Sequence, residues 1–76
     1  MSKKGLEVFA LGIGFVIENE EFLREEYGEE FIAVYGDRII DYDGDESRLL
    51  RRLPNKDGIV TGTIDDIASM PEEKIR

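Results

Sequence analysis

The sequence places three aspartates at alternate positions, Asp41, Asp43 and Asp45, in a segment that reads DYDGDE. Carboxylate oxygens are ligands that calcium prefers, and the EF-hand loop takes them from its positions 1, 3 and 5. The rest of that loop is not matched, because its sixth position is Glu46 instead of glycine and its twelfth is Arg52 instead of a bidentate glutamate. The pattern therefore favours a strand end followed by a helix cap, and we predict no metal site. We expect Asp45 to be the N-cap, with Asp43 as the alternative because Asp43 and Glu46 have the spacing of a capping box.

Asp65 and Asp66 form a second acidic pair. Catalytic carboxylates must share one site for their pKa values to separate, and adjacent residues in an exposed turn usually do not. We therefore expect Asp65 or Asp66 to cap a short helical turn. The chain contains no histidine and no cysteine, so its serines and threonines lack the usual activating base. We predict no catalytic residue and no cofactor, and a protein that is not an enzyme.

Two glycine signals also resemble functional motifs. Glycines occur in an apolar or β-favouring context at Gly12–Gly14 and at Thr61–Thr63. Neither segment is a phosphate-binding loop, because no Gly-Lys-Ser/Thr follows, and neither is a dinucleotide-binding fingerprint, because the third glycine is missing. Close packing of the backbone is the better interpretation of both. The three tyrosines are expected at the core edge or on a partner surface; they are Tyr27, Tyr35 and Tyr42.

The charge balance is acidic, with 18 Asp and Glu against 10 Lys and Arg and a formal net charge of −8. Such a chain is repelled by phosphate backbones and by anionic membranes, so we predict neither a nucleic-acid nor a membrane partner. The one basic cluster, Arg48, Arg51 and Arg52, is interpreted as the solvated face of a short helix. Abundant Glu, Lys, Arg and Ile without Cys is compatible with a thermophilic source.

The apolar segment Leu6–Ile17 fits two structures. As a strand it alternates large and small side chains, and Gly12 and Gly14 each cost a helix about 1 kcal/mol relative to alanine. As a helix it places Phe9, Ile13 and Val16 on one side. Glu7 interrupts the run and no small-residue cleavage site follows, so a signal peptide is not indicated and a cytoplasmic location is expected.

The remaining pattern predicts one domain, residues 1–76, of the α+β class. Met1–Gly5 is expected to be frayed and residues 71–76 to be a loose tail. Between them we expect a helix that Asn19 caps, a hairpin, a second helix that ends before Pro54, and a third strand. These segments are Asn19–Tyr27, Phe31–Tyr35, Arg38–Tyr42, Asp45–Leu53 and Gly58–Ile64. The economical topology is a three-stranded antiparallel sheet of order 2-1-3, with helices on one face and the element order α-β-β-α-β.

Several short motifs occur in this order along the chain: Tyr27-Gly28-Glu29 after an acidic helix, the strand Glu30–Val34, the turn and strand Gly36–Ile40, and Asp45-Glu46-Ser47 before a Leu-rich helix. With them, the segment from Phe15 to Ile64 resembles the DUF5678 family, a group of short uncharacterised prokaryotic proteins. The resemblance implies the α-β-β-α-β fold, favours a helix for Leu6–Ile17, and transfers no catalytic residues. The chain departs from the family at Glu29, where relatives often have a basic residue.

A chain of seventy-six residues forms only a thin core. It has no cysteine for a disulfide bond and no cysteine or histidine for a structural metal site, so self-association is the remaining route to more buried surface. We therefore expect a homo-oligomer, a dimer in its simplest form, that acts as a non-catalytic protein-interaction module or an accessory, antitoxin-like adaptor. The alternative function is a small-ligand binder or enzyme that uses carboxylates and tyrosines in a cleft at a dimer interface.

Overall fold

The computed structural model describes residues 1–70 as four helices and a sheet of three strands. In chain order the elements are α1 (Lys3–Glu18), α2 (Glu20–Tyr27), β1 (Phe31–Tyr35), β2 (Arg38–Asp43), α3 (Glu46–Arg52), β3 (Val60–Gly62) and α4 (Ile64–Ala68). The predicted loose tail, residues 71–76, lies outside the described part of the chain. No helix within residues 1–70 combines the length and the apolar character that crossing a membrane requires.

The ambiguous segment Leu6–Ile17 forms a helix and not a strand, since it lies within α1. The helix also begins earlier than expected, so the prediction of a frayed start at Met1–Gly5 is wrong. The Ser2 hydroxyl accepts a hydrogen bond from the Gly5 N–H at 3.0 Å, as an N-cap does. The Asp57 carboxylate in turn accepts one from the Ser2 N–H at 2.7 Å, which holds this first turn against the loop before β3.

Asn19 separates α1 from α2 and occupies the predicted N-cap position of α2, but its side chain does not make the capping hydrogen bond. Its side-chain amide donates to the Phe15 carbonyl at 2.8 Å, and its backbone N–H donates to the same oxygen at 3.1 Å. The side chain therefore closes the end of α1, and it makes no capping bond to α2. The end of α2 follows the prediction, because Gly28 has a φ of 59° and its N–H bonds the Arg24 carbonyl at 2.9 Å.

β1 is the central strand, and β2 and β3 pair with it antiparallel on its two sides. The α+β class, the strand order 2-1-3 and the order α-β-β-α-β are thereby confirmed. In the register, Val60 of β3 lies opposite Val34, and Gly62 lies opposite Ile32. β3 is shorter than the predicted strand Gly58–Ile64, because Thr63 already serves as the N-cap of α4.

The main core lies on one face of the sheet, where Ile32 and Val34 point toward α1, α2 and α4. Its buried members are Ile13, Val16, Leu23, Ile32, Val34, Val60, Ile64 and Ile67. Ala33 alternates to the opposite face and is fully buried, and so is Leu49 of α3, which lies outside that cluster. The prediction of helices on one face therefore holds for α1, α2 and α4, whereas α3 packs over the opposite face. Strand alternation alone does not show which helix covers which face.

Two glycines allow α1 to approach the sheet and the loop before β3. A methyl group on Gly12 would lie 3.0 Å from Cγ1 of Val60 and 3.4 Å from Cγ1 of Val34, so the missing side chain brings the helix close to the core face. Gly58 has a φ of +100°, and a methyl group there would lie 2.8 Å from the Gly5 carbonyl oxygen. The interpretation of close backbone packing is thus correct for Gly12.

Candidate functional site

An irregularity in β2 determines where the acidic residues of DYDGDE point. Val34 pairs with Ile39 but Ala33 pairs with Asp41, so Ile40 is an extra residue in the strand. A bulge of this kind shifts the alternation of the side chains that follow it. Asp41 and Asp43 therefore share the face of Ala33, on the side of α3. Tyr42 lies on the other face, with its ring centroid 5.0 Å from that of Tyr27.

Two arginines of α3 bind the shifted carboxylates. Arg52 donates from Nη2 to Oδ1 of Asp41 at 3.0 Å and from Nη1 to Oδ2 of Asp43 at 2.6 Å. Arg48 donates to Oδ1 of Asp43 at 3.0 Å. The interpretation of the basic cluster as only a solvated face missed these partners, because the bulge that brings them together leaves no local sequence signal.

The pKa values of these aspartates fall as a result. The hydrogen bond from Arg52, together with the Asp45 N–H and Arg48, lowers the pKa of Asp43 to about 2. Arg52 and the Tyr42 N–H lower the pKa of Asp41. Only 12% of the Asp43 side chain is exposed, so this carboxylate is enclosed by its donors and stays ionised near neutral pH.

The predicted role of Asp45 as a helix N-cap is confirmed, since its side chain accepts a hydrogen bond from the Arg48 N–H at 3.2 Å. Asp45 thus caps α3, while Asp41 and Asp43 both bind Arg52. Within residues 1–70 no group of three metal-ligating side chains is arranged to hold an ion. The arrangement ties the end of β2 to α3 and offers no open carboxylate cage.

Asp65 and Asp66 also have separate roles. Asp65 binds Arg24 of α2, and this ion pair lowers the pKa of Asp65. Asp66 accepts from the Thr63 N–H at 3.1 Å while the Thr63 hydroxyl accepts from the Asp66 N–H at 3.1 Å, a reciprocal capping box. The N-cap of α4 is therefore Thr63, and the expectation that Asp65 or Asp66 occupies that position is wrong. The two carboxylates do not share a site.

An open cleft of about 540 Å³ lies between the β1–β2 turn, the end of α3 and the loop after it. Its lining combines apolar, cationic and acidic side chains with one tyrosine: Val8, Tyr35, Gly36, Asp37, Arg38, Ile40, Asp41, Arg52, Leu53, Pro54 and Lys56. The Lys56 ammonium lies 4.8 Å from the centre of the Tyr35 ring, a cation–π contact. This is a place where a small molecule can contact charge and apolar surface together.

The outer face of α1 is the second candidate surface. Leu11 is 64% exposed, and Leu6 and Ile17 are also exposed on this helix. Phe22 at the start of α2 is 60% exposed. At 100° per residue, Leu6 and Ile17 fall within about 20° of each other around the helix, and Leu11 lies about 120–140° around the helix from them. We call these four side chains, with Ala10 and Gly14 between them, the α1 apolar face.

Gly14 differs from Gly12 in having no packing partner within residues 1–70. A methyl group at Gly14 would meet no atom of residues 1–70 within 4 Å. The predicted close packing is therefore not found at Gly14 among these residues. Glycine inside a helix still costs about 1 kcal/mol relative to alanine. No contact among residues 1–70 therefore requires glycine at this position.

Comparisons of the chain with protein-family models, with curated proteins and with solved structures gave no match. Membership of the DUF5678 family stays a prediction.

Proposed function

We propose that the protein is a non-catalytic interaction module that acts as a homodimer through the α1 apolar face. The observation that carries the proposal is the exposure of Leu6, Leu11 and Ile17 on α1 and of Phe22 on α2. Groups of exposed apolar side chains mark interaction sites in soluble proteins, whereas single exposed apolar residues do not. A small domain also gains proportionally more from such burial than a large one.

The charges at the two ends of the α1 apolar face select a second copy as the occupant. Lys3 and Lys4 lie at the beginning of α1, Glu18 is its last residue and Glu21 lies in the first turn of α2, and all four are exposed. When two copies pack antiparallel about Ala10 and Gly14, the lysines of each chain come beside the glutamates of the other. A two-fold axis makes both ends of the interface complementary at once.

Small residues at the centre of this interface support the same arrangement. Ala10 and Gly14 allow the two helix axes to approach closely, since interaxial distance depends on the side chains at the contact. Gly14 then has the role that it lacks within a single chain. The flanking side chains Leu6, Leu11 and Ile17 would enclose the small residues.

Sedimentation equilibrium over a wide concentration range tests the proposal. Leu11→Gln is expected to raise the dimer dissociation constant at least about tenfold, since burying the exposed part of each leucine contributes about 1–2 kcal/mol. Leu50→Gln is the matched control, because Leu50 is also a half-exposed leucine but lies on α3. It should change the constant less than twofold. A wild-type chain that stays monomeric at millimolar concentration would refute the proposal.

A charge exchange tests the antiparallel orientation. Replacing Lys3 and Lys4 by glutamate, or Glu18 and Glu21 by lysine, should weaken the dimer in each case. Combining the four substitutions should restore most of the affinity, because the complementary ends are exchanged and not lost. If the combined variant is weaker than both doubles, the antiparallel arrangement is incorrect even when the dimer itself exists.

The wider role we propose is that of an accessory or antitoxin-like adaptor for another protein. The net charge of −8 favours a basic partner, because complementary charge steers and selects association. The resemblance to DUF5678 is consistent with a small unit that has no catalytic residue of its own.

A further inference from the structure

The cleft beside Tyr35 is cationic in a chain that is otherwise acidic. Three cationic side chains line it, Arg38, Arg52 and Lys56, against two carboxylates, Asp37 and Asp41. The local balance is therefore positive by one charge, although the whole chain carries −8. Such a reversal of sign in a concave site favours the entry of anions.

Two of the three cations are available to a ligand. Arg52 is occupied, because its guanidinium binds Asp41 and Asp43 and the Tyr42 carbonyl. Within residues 1–70 neither Arg38 nor Lys56 forms an ion pair with a carboxylate. Lys56 is at the same time held over the Tyr35 ring, so its ammonium is positioned at the cleft without being neutralised.

Apolar side chains complete the lining. Val8, Ile40 and Leu53 are half-buried there, and Pro54 is exposed beside them. The volume of about 540 Å³ lies within the range of small-molecule sites, roughly 300–1,000 Å³. A ligand of this site would therefore present an anionic group to Arg38 and Lys56 and an apolar body to these side chains.

We infer that this cleft binds a small organic carboxylate with an apolar body. A single negative charge matches the local excess of one positive charge. A phosphate dianion would face Asp37 and Asp41 with an unbalanced second charge. The cleft contains the tyrosine and the carboxylates that the alternative prediction named, but it lies within one chain, and its charged groups without an ion pair within residues 1–70 are two cations, Arg38 and Lys56, and one carboxylate, Asp37. The inference does not depend on the proposed dimer.

The test uses 3-phenylpropionate as the probe and its neutral amide, 3-phenylpropionamide, as the comparison. Both are titrated into the ¹⁵N-labelled full chain at fixed ionic strength while amide chemical shifts are followed. We expect saturable shifts around Tyr35 and Arg38 with the carboxylate, and about fivefold weaker binding of the amide, since two exposed charge contacts are lost. Phenyl phosphate should bind no more tightly than the carboxylate.

Variants with equal changes of charge locate the site. Arg38→Gln combined with Lys56→Gln should weaken carboxylate binding about fivefold. A charge-matched control combines Arg51→Gln with Arg24→Gln, because neither Arg51 nor Arg24 lines the cleft, and it should change the affinity less than twofold. Equal binding of acid and amide, an equal loss in the control, or no saturable shift at millimolar probe would overturn the inference. Tighter binding of phenyl phosphate would overturn the assignment to a carboxylate.

Discussion

Leu49 provides the sharpest test of the position of α3. Its side chain is 0% exposed and lies outside the main core cluster, on the face of the sheet that Ala33 occupies. Replacing a fully buried leucine by alanine costs about 2–5 kcal/mol, because transfer energy is lost and a cavity remains. A domain of this length has a total stability of about 4–11 kcal/mol. Leu49→Ala should therefore remove a large fraction of it.

The adjacent Leu50 is the internal control. It has the same side chain and lies on the same helix but is 50% exposed, so Leu50→Ala should cost only about 0.5–1 kcal/mol. Urea unfolding followed by circular dichroism, at one protein concentration for all variants, gives both values. Keeping the concentration fixed matters because association would add to apparent stability.

A loss of about 3 kcal/mol in Leu49→Ala corresponds to a melting temperature lower by about 12–24 °C for a domain of this size. The slope of the urea transition should stay unchanged, since the surface exposed on unfolding is nearly the same. Equal costs for the two alanine variants, or less than about 1 kcal/mol for Leu49→Ala, would refute the packing of α3 over the second face.

Three further outcomes are expected. Ala33→Val should destabilise by about 1–3 kcal/mol in urea unfolding, because α3 leaves no space over this face, whereas a solvent-facing strand position would tolerate valine. Gly58→Ala should cost more than about 1 kcal/mol by the same measurement, since its φ of +100° and the nearby Gly5 carbonyl both oppose a side chain. Because the pKa of Asp43 is lowered, its ionised carboxylate stabilises the fold at pH values above 3.8, the ordinary pKa of aspartate. This stabilisation is lost as the pH falls through about 2. Melting temperatures between pH 5 and pH 2 should therefore fall less steeply in Asp43→Asn than in the wild type, and parallel curves would contradict this.

Local signals in the sequence were sufficient for much of the fold. The Asp45 cap, the helix stop at Gly28 and the break before Pro54 each depend on the chemistry of a few adjacent residues. The β1–β2 hairpin followed from two β-favouring runs around Gly36-Asp37. The strand order then required only simple rules of chain connection.

What could not be predicted depends on contacts between distant parts of the chain. The low helix propensity of glycine makes Gly12 unfavourable in a helix. In the fold, however, Val34 and Val60 fill the space that its missing side chain leaves. The cap at Ser2 depends in part on Asp57, far along the chain. The cleft likewise combines Tyr35 of the hairpin with Lys56 of a later loop. No pattern in either segment indicates the other.

The charge of the chain constrains how the proposed dimer is held together. Each copy carries a net charge of −8, so two copies repel each other. At ordinary ionic strength, salt screens this repulsion between charges more than about 8–10 Å apart. The contacts of Lys3 and Lys4 with glutamates of the partner subunit act at shorter range and are screened less. Burial of the α1 apolar face must therefore provide most of the affinity, with the lysine–glutamate contacts setting orientation. We expect the dimer to strengthen as salt rises from about 10 mM to 150 mM in sedimentation experiments, because long-range repulsion is removed first. A dimer that weakens steadily over this range would mean that the charged ends, and not the apolar face, hold the two copies together.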